Sequence, residues 1–293
     1  MKTRKPYVAG QFYAGTEQEL TKQILECFTH RFGPGQVPKP VNKGPRKIVG
    51  IVSPHAGYPY SGPIAANGYS RLAGDGLPEV FIVLGPNHFG RGSGVSIQTD
   101  GAWETPLGIT SIDTPLAKNI QKASEIIDID ESAHSAEHSI EVQVPFIQFI
   151  SKGTAKFIPL CSWMQDLKTS REIAKSIVEQ VKDRDFVIIA SSDFTHHERG
   201  HGDTNEKEML ERIEEQDRSA IEAITKLDDA ALNELGETQK VTMCGYGPIT
   251  TLIAAAKLLG STKAEFLAHK TSYDLTGESG YVVGYSSLVF TRE

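Results

Sequence analysis

Three apolar runs in this chain end the same way. "KIVGIVSPH" (47–55), "EVFIVLGPNH" (79–88) and "DFVIIASSDFTHH" (185–197) each carry a buried-type stretch straight into polar, reactive residues. A fourth run, "AKFIPLCSW", ends at a tryptophan. Short unbroken apolar runs bounded by Pro, Gly or Ser are the pattern of strands covered on both faces. Helix-type segments lie between them, as in "GPIAANGYSRLA". Strands alternating with helices predict an α/β fold with a mostly parallel central sheet flanked by helices, spanning 1–293 as one domain. In such sheets ligands bind beyond the carboxyl ends of the strands. The polar endings "SPH", "GPNH" and "SSDFTHH" are therefore expected on one rim.

The remaining segments fill in around that scheme. A helix is expected over 16–31, followed by a Gly- and Pro-rich loop over 32–46. Antiparallel strands are expected within 93–113. Helices are expected at 114–123, about 136–151, 168–183, about 204–225 and 228–235, and over "GPITTLIAAAKLLG". Strands near 263–273 and 281–291 close the chain. No repeat or low-complexity segment appears.

The rim supplies His55, His88, Asp193, His196 and His197. Imidazoles and carboxylates converging on a cleft are the raw material of a transition-metal site. A lone histidine in a loop is more often bonded to backbone. Two histidines at the ends of two different buried strands argue for a shared site. Cys244 lies in "VTMCGYGPIT", before a helix whose start Pro248 suits. A thiol at a helix N-terminus tends toward thiolate, which is a nucleophile and a soft metal ligand. The same cysteine also suits plain packing against its glycine turn. Cys27 and Cys161 are expected to be packing residues.

His134, Glu137 and His138 spell H-x-x-E-H, the pattern of the inverted zincin peptidases. That chemistry needs a regular helix, so that both histidines face one metal. Three fixed residues make a weak pattern, and Asp130, Glu131 and Ser132 are helix-start signals that put His134 in a frayed first turn. His138 and Glu141, three apart, also share a helix face.

Composition excludes several classes. The net charge of −7 is wrong for a broad nucleic-acid face. No apolar stretch approaches 20 residues, so no membrane partner is expected. The basic start "MKTRKPYVAGQFYAG" has no apolar h-region. Three scattered cysteines fit free thiols in a reducing, cytoplasmic setting. There is no phosphate-binding loop and no G-x-S-x-G nucleophile elbow. "NEKEMLERIEEQDR" reads as a solvated helix face, and the later residues of "HHERGH" (196–201) as a polar loop.

The segments "VAGQFYAG", "SPHAGYPYSGPIAA", "LGPNHFG", "EHSIEVQVPF", "SSDFTHH" and "CGYGPI" occur in an order that resembles the Memo family, also called the AmmeMemoRadiSam system protein B group in microbes. The likeness runs from about residue 6 to residue 290. It implies a fold like that of the class III extradiol ring-cleaving dioxygenases. It implies metal ligands at His55, His88 and Cys244, with His138, Asp193 and His196 as neighbouring catalytic residues. The dioxygenases hold ferrous iron with two histidines and a carboxylate. A thiolate in the carboxylate's place tilts the site toward copper or iron in a redox role, with zinc also accepted. Asp193 would orient a ligating histidine, and His138 or His196 would move protons. Two functions follow from the resemblance: a redox or dioxygenase-like enzyme of unknown small-molecule substrate, or an adaptor receiving phosphotyrosine peptides in the same cleft. The group name implies a radical SAM protein and an AMMECR-type protein as partners. Because the family signature E-H-S-x-E begins at Glu137, His134 falls outside it, and the peptidase pattern becomes a coincidence.

Overall fold

The computed structural model describes residues 2–41, 43–198 and 205–292. The chain opens with Thr3–Arg4 (β1) and Glu17–Thr29 (α1), the latter capped by Thr16, whose side chain accepts from the Glu19 amide. Then come Ile48–Ser53 (β2), Tyr58–Asp75 (α2) and Val80–Pro86 (β3). Val95–Ile97 (β4), Ala102–Thr105 (β5) and Gly108–Ser111 (β6) follow, then Thr114–Lys122 (α3) and Asp128–Ile129 (β7). Val144–Ser151 (α4), Lys156–Ser162 (β8), Leu167–Gln180 (α5) and Phe186–Ser191 (β9) complete the middle of the chain. His196–Glu198 (β10), Glu206–Thr225 (α6), Asp229–Glu237 (α7) and Tyr246–Leu258 (α8) lead to Ser261–Thr271 (β11), Ser272–Thr276 (α9) and Tyr281–Arg292 (β12). Residue 204 of the expected charged helix, and residues 199–201 of the His-rich loop, lie outside the described residues.

The main sheet has nine strands in the order β10-β12-β2-β9-β3-β8-β4-β7, with β11 on the outer side of β12. Its centre is β2-β9-β3-β8, all parallel. Antiparallel pairing is confined to the flanks, where β4 meets β8 and where β10, β11 and β2 meet β12. Every residue of β2, β3 and β9 is buried, which is why these strands read as continuous apolar runs rather than alternating ones.

Two helix layers cover the sheet. α1, α2 and α4 pack together on one face, and α3, α5, α7 and α8 on the other. Adjacent residues of β2 show the two faces. Gly50 faces Leu252 of α8, and Ile51 faces Gly68 of α2. A small second sheet, β1-β5-β6, ties the N-terminus down: Thr3 pairs with Ala102 and Arg4 with Trp103. The antiparallel pairing expected within 93–113 includes the β5–β6 hairpin, with Thr105 opposite Gly108.

One expected element breaks up. A helix over about 136–151 is regular only from Val144, with Pro145 in its first turn. Before it lie single 3₁₀ turns at Ser132–His134 and Glu141–Gln143. Proline is well placed at a helix start. Upstream, the Glu137 carboxylate accepts from the Ser139 amide, taking up a donor that a regular helix would use elsewhere.

Among the described residues, no helix is long and apolar enough to cross a membrane.

Candidate metal centre

The strand order brings the three polar endings together. β9 lies between β2 and β3, and Ser53 stands opposite Ser191 in the ladder. His55, His88 and Asp193 each follow one of these three neighbouring strands by two residues, on the carboxyl rim, as the sequence predicts. Cys244 arrives from the loop before α8. Gly245 makes that approach feasible: a Cβ there would run into the Ser191 carbonyl and the Ser192 side chain. Its amide instead donates to Ser192 Oγ at 3.0 Å.

The hydrogen bonds fix how His55 faces the cleft. Its Nδ1 lies 2.9 Å from Ser191 Oγ. That hydroxyl donates its one proton to the Ser139 carbonyl at 2.7 Å, and accepts from Gln143 Nε2 at 2.9 Å. Ser191 Oγ can therefore only accept from His55, so Nδ1 carries the proton and Nε2 is a bare lone pair. That lone pair points at Cys244 Sγ, 3.1 Å away.

His88 is held by the same logic through a different partner. Its Nδ1 is 2.9 Å from Glu137 Oε1, and its amide donates to Glu137 Oε2 at 2.7 Å. A carboxylate only accepts, so His88 also presents Nε2 to the cleft. The ligand atoms of His55, His88 and Cys244 all lie within 4.8 Å of one another. Bonds of 2.0–2.3 Å put neighbouring donors of a tetrahedral ion about 3.3–3.8 Å apart. Two imidazole lone pairs and one sulfur at this spacing fit a single transition-metal ion, with the outer nitrogens tied back as metal-binding histidines usually are.

Burial sets the charge state. It drives His55 well below its ordinary value, helped by the nearby His88, His138 and His196. It likewise takes His138 down to about 4, against the pull of Glu137. Burial alone would push Glu137 up, but the His88 hydrogen bond, the charges of His88 and His138 and the Ser139 amide hold it at about 2. Burial, then the Asp193 charge, push the Cys244 thiol well above its ordinary value. This corrects the expected thiolate. Cys244 precedes the N-cap Gly245, so it sits outside the helix, and without an ion desolvation outweighs any helix effect. The neutral forms of the two groups are complementary: a Cys244 S–H can donate to the bare His55 Nε2.

Among the neighbouring residues, Asp193 meets His55 in a different way from that expected. His138 enters the cleft, its ring stacked on His88 at 4.5 Å and edge-on to His55 at 5.5 Å. Asp193 is buried and touches His55, but through the main chain: Oδ1 accepts from the His55 amide at 2.7 Å and from Ala56 at 3.2 Å. It shapes the loop, while Ser191 orients the ring. Burial raises the Asp193 carboxyl, and the charge of His196 opposes this. His196 is tethered to Thr242, its Nδ1 3.0 Å from the Thr242 carbonyl and its amide 2.8 Å from Oγ1, two residues from Cys244. His197 is not in either donor group.

Three residues went unread in the sequence: Ser191, Gln143 and Glu137 in its present role. Glu137 is fully buried and forms, with His88 and His138, a second group of close donor atoms. Gly85 makes room for this segment, since a Cβ there would strike Ser139 and Ile140. Ser139 Oγ donates to the Pro86 carbonyl at 2.9 Å, joining the segment to the end of β3. The H-x-x-E-H pattern does not form a peptidase site. His134 is buried edge-on against Trp103, at 5.8 Å, and contributes to neither donor group. Cys27 and Cys161 are buried, as packing residues should be.

Known proteins match this chain over its whole length. The family model described as "Memo-like protein" matches residues 4–289. A MEMO1 family protein of Methanopyrus kandleri is 45% identical over 291 residues, covering 99% of both chains. One from Pyrobaculum aerophilum is 45% identical over 294 residues, covering 100% of both. One from Nitrosopumilus maritimus is 41% identical, covering 98% of this chain and 99% of its own. Among solved structures, an uncharacterized protein of Escherichia coli K12 superimposes with a TM-score of 0.55 at 13% identity, covering 83% of this chain and 99% of that one. At that identity the likeness is one of fold.

Proposed function

This chain belongs to the Memo family, and from that premise we propose that His55, His88 and Cys244 hold one copper or iron ion in a redox or dioxygenase-like enzyme acting on a small molecule. The observation that carries the reading is the pair of tied histidines. Ser191 and Glu137 each hold an Nδ1 proton, which leaves two Nε2 lone pairs beside the Cys244 sulfur. A bound copper or iron ion would supply one-electron redox chemistry and Lewis acidity at that point.

The protein's own residues do the rest. Cys244 would give up its proton on ligating the ion, as thiol ligands do. Asp193 keeps the His55 loop in place through two amides. His138, stacked on His88, is positioned by the cleft to hydrogen-bond a substrate hydroxyl and exchange its proton. Phe12 also packs against the His138 ring, with centroids 4.8 Å apart. The phosphopeptide reading gains less support: neutral imidazoles are weak partners for a dianion, and the chain carries −7 overall.

Elemental analysis after loading with copper or iron tests the proposal. About one ion per chain is expected, since three ligands define one site. Cys244→Ala should lose it while circular dichroism stays unchanged. Full occupancy in that variant would remove the thiolate from the centre.

A further inference from the structure

Glu137 and His138 are consecutive, yet both must serve the cleft, one behind His88 and one beside it. A regular helix turns about 100° between neighbours, so this segment cannot be one, and its carbonyls need partners from outside. Arg4 supplies them. Its Nε donates to the His134 carbonyl at 2.7 Å and its Nη2 to the Glu137 carbonyl at 3.0 Å. Its Nη1 meets Glu141 Oε2 at 2.6 Å, and its guanidinium lies over the Trp103 ring at 4.1 Å. One fork thus grips three points of the turn. Glu141 is fully buried and also accepts from the Tyr7 and Val8 amides and from Tyr13 Oη, at 2.7–3.0 Å. The N-terminal segment is thereby strapped across the back of the centre, and it brings Phe12 onto His138.

We infer that Arg4, latched by Glu141, is a positioning residue of the metal centre: it fixes the turn that presents Glu137 to His88 and so sets the affinity of the cleft for its ion. This rests on the metal-binding reading above. Nothing in the strap touches the ion itself. Its effect passes through Glu137 to His88, and partners at that remove typically change metal affinity by about 10–100-fold.

Arg4→Lys is the informative variant, because it keeps a charge for Glu141 and loses the fork. Cobalt(II) is the probe, titrated against a competing chelator, with Lys5→Ala as a control in the same strap. The variant should bind cobalt roughly tenfold more weakly than wild type. The sulfur-to-cobalt absorption should persist, because Cys244 and His55 are untouched, while the ligand-field bands shift as His88 loosens. In metal-free protein, hydrogen exchange at the His88 and Ser139 amides, both held by Glu137, should quicken relative to β9. Should Arg4→Lys fail to fold, Tyr13→Phe removes one bond to Glu141 and should give the same pattern, smaller. Wild-type uptake of cobalt with an unaltered variant overturns the inference alone. Faster exchange with unchanged affinity also overturns it, since the strap would then be merely structural. Wild-type protein that takes up neither cobalt nor, on loading, copper or iron overturns the metal reading, and this inference with it; if only copper or iron is taken up, that ion replaces cobalt in the same competition.

Discussion

The two ends of the same four parallel strands are built on opposite plans. At the amino rim, charges are matched and closed. Arg46 reaches Asp185 at 2.7 Å and Asp75 at 3.4 Å, and donates to the Gly76 and Phe186 carbonyls. Asp75 accepts from the Lys47 and Ile48 amides, where β2 begins. Arg184 meets Asp113 at 2.8 Å, with Lys156 also near. At the carboxyl rim, the outer nitrogens of His55 and His88 are matched, while their Nε2 lone pairs are left beside the Cys244 sulfur. One rim spends its polar groups on each other. The other holds a few in reserve, and it is there that ligand chemistry can occur.

The sharpest way to break this comparison is to cut a partner out of the amino rim. Asp75→Ala leaves the Lys47 and Ile48 amides without their acceptor and takes one of two carboxylates from Arg46, which should cost about 3 kcal/mol of stability. Urea denaturation reads that loss, and metal affinity should not move. Equal loss of metal would mean the two rims are not independent. The complementary change is Glu137→Gln, which keeps shape but weakens the hold on His88 Nδ1. Metal affinity should fall by about 10–100-fold, with a much smaller change in the urea midpoint.

Proton release comes next in size. Burial disfavours the charged form of His55 and holds the Cys244 thiol above its ordinary value, so in mildly alkaline solution the sulfur is the ligand that carries a proton to lose. Each ion bound should therefore release about one proton, so affinity should rise about tenfold per pH unit. An indicator dye in weak buffer measures it, and no release would mean the sulfur does not ligate. The smallest effect belongs to the amino rim. Burial pushes the Asp113 carboxyl up, but the Arg184 hydrogen bond, the Leu116 amide and Lys156 hold it below its ordinary value. A depressed carboxyl stabilises the fold above its unfolded-state value, and that contribution is lost as pH falls through the folded value. Asp113→Asn should flatten the acid-side slope of stability and leave it unchanged in form above pH 5.

Much of this was legible in the sequence because burial on both faces leaves a coarse signal. The runs before His55, His88 and Asp193 announce strands, and the helices between them make those strands parallel. What the pattern does not encode is contact between side chains brought together only by the fold. Ser191 is one serine among many until Ser139, Gln143 and His55 converge on it. Asp193 reads as an acid for a histidine ring, and instead accepts from amides. The segment after Ser132 has helix-start residues, but the demands of Glu137 and His138 on one cleft override local preference until Pro145. Cys244 carries a helix-terminus signal, and the cost of burying a charge reverses it.

The position of β9 also orders events during synthesis. The strands bearing His55 and His88 leave the ribosome early, yet they are not neighbours in the sheet. The strand that seats between them arrives only near residue 190, and the sulfur donor later still. No shorter nascent chain has the three donors at their final spacing, so any ion bound there would require that nearly the whole chain has already folded.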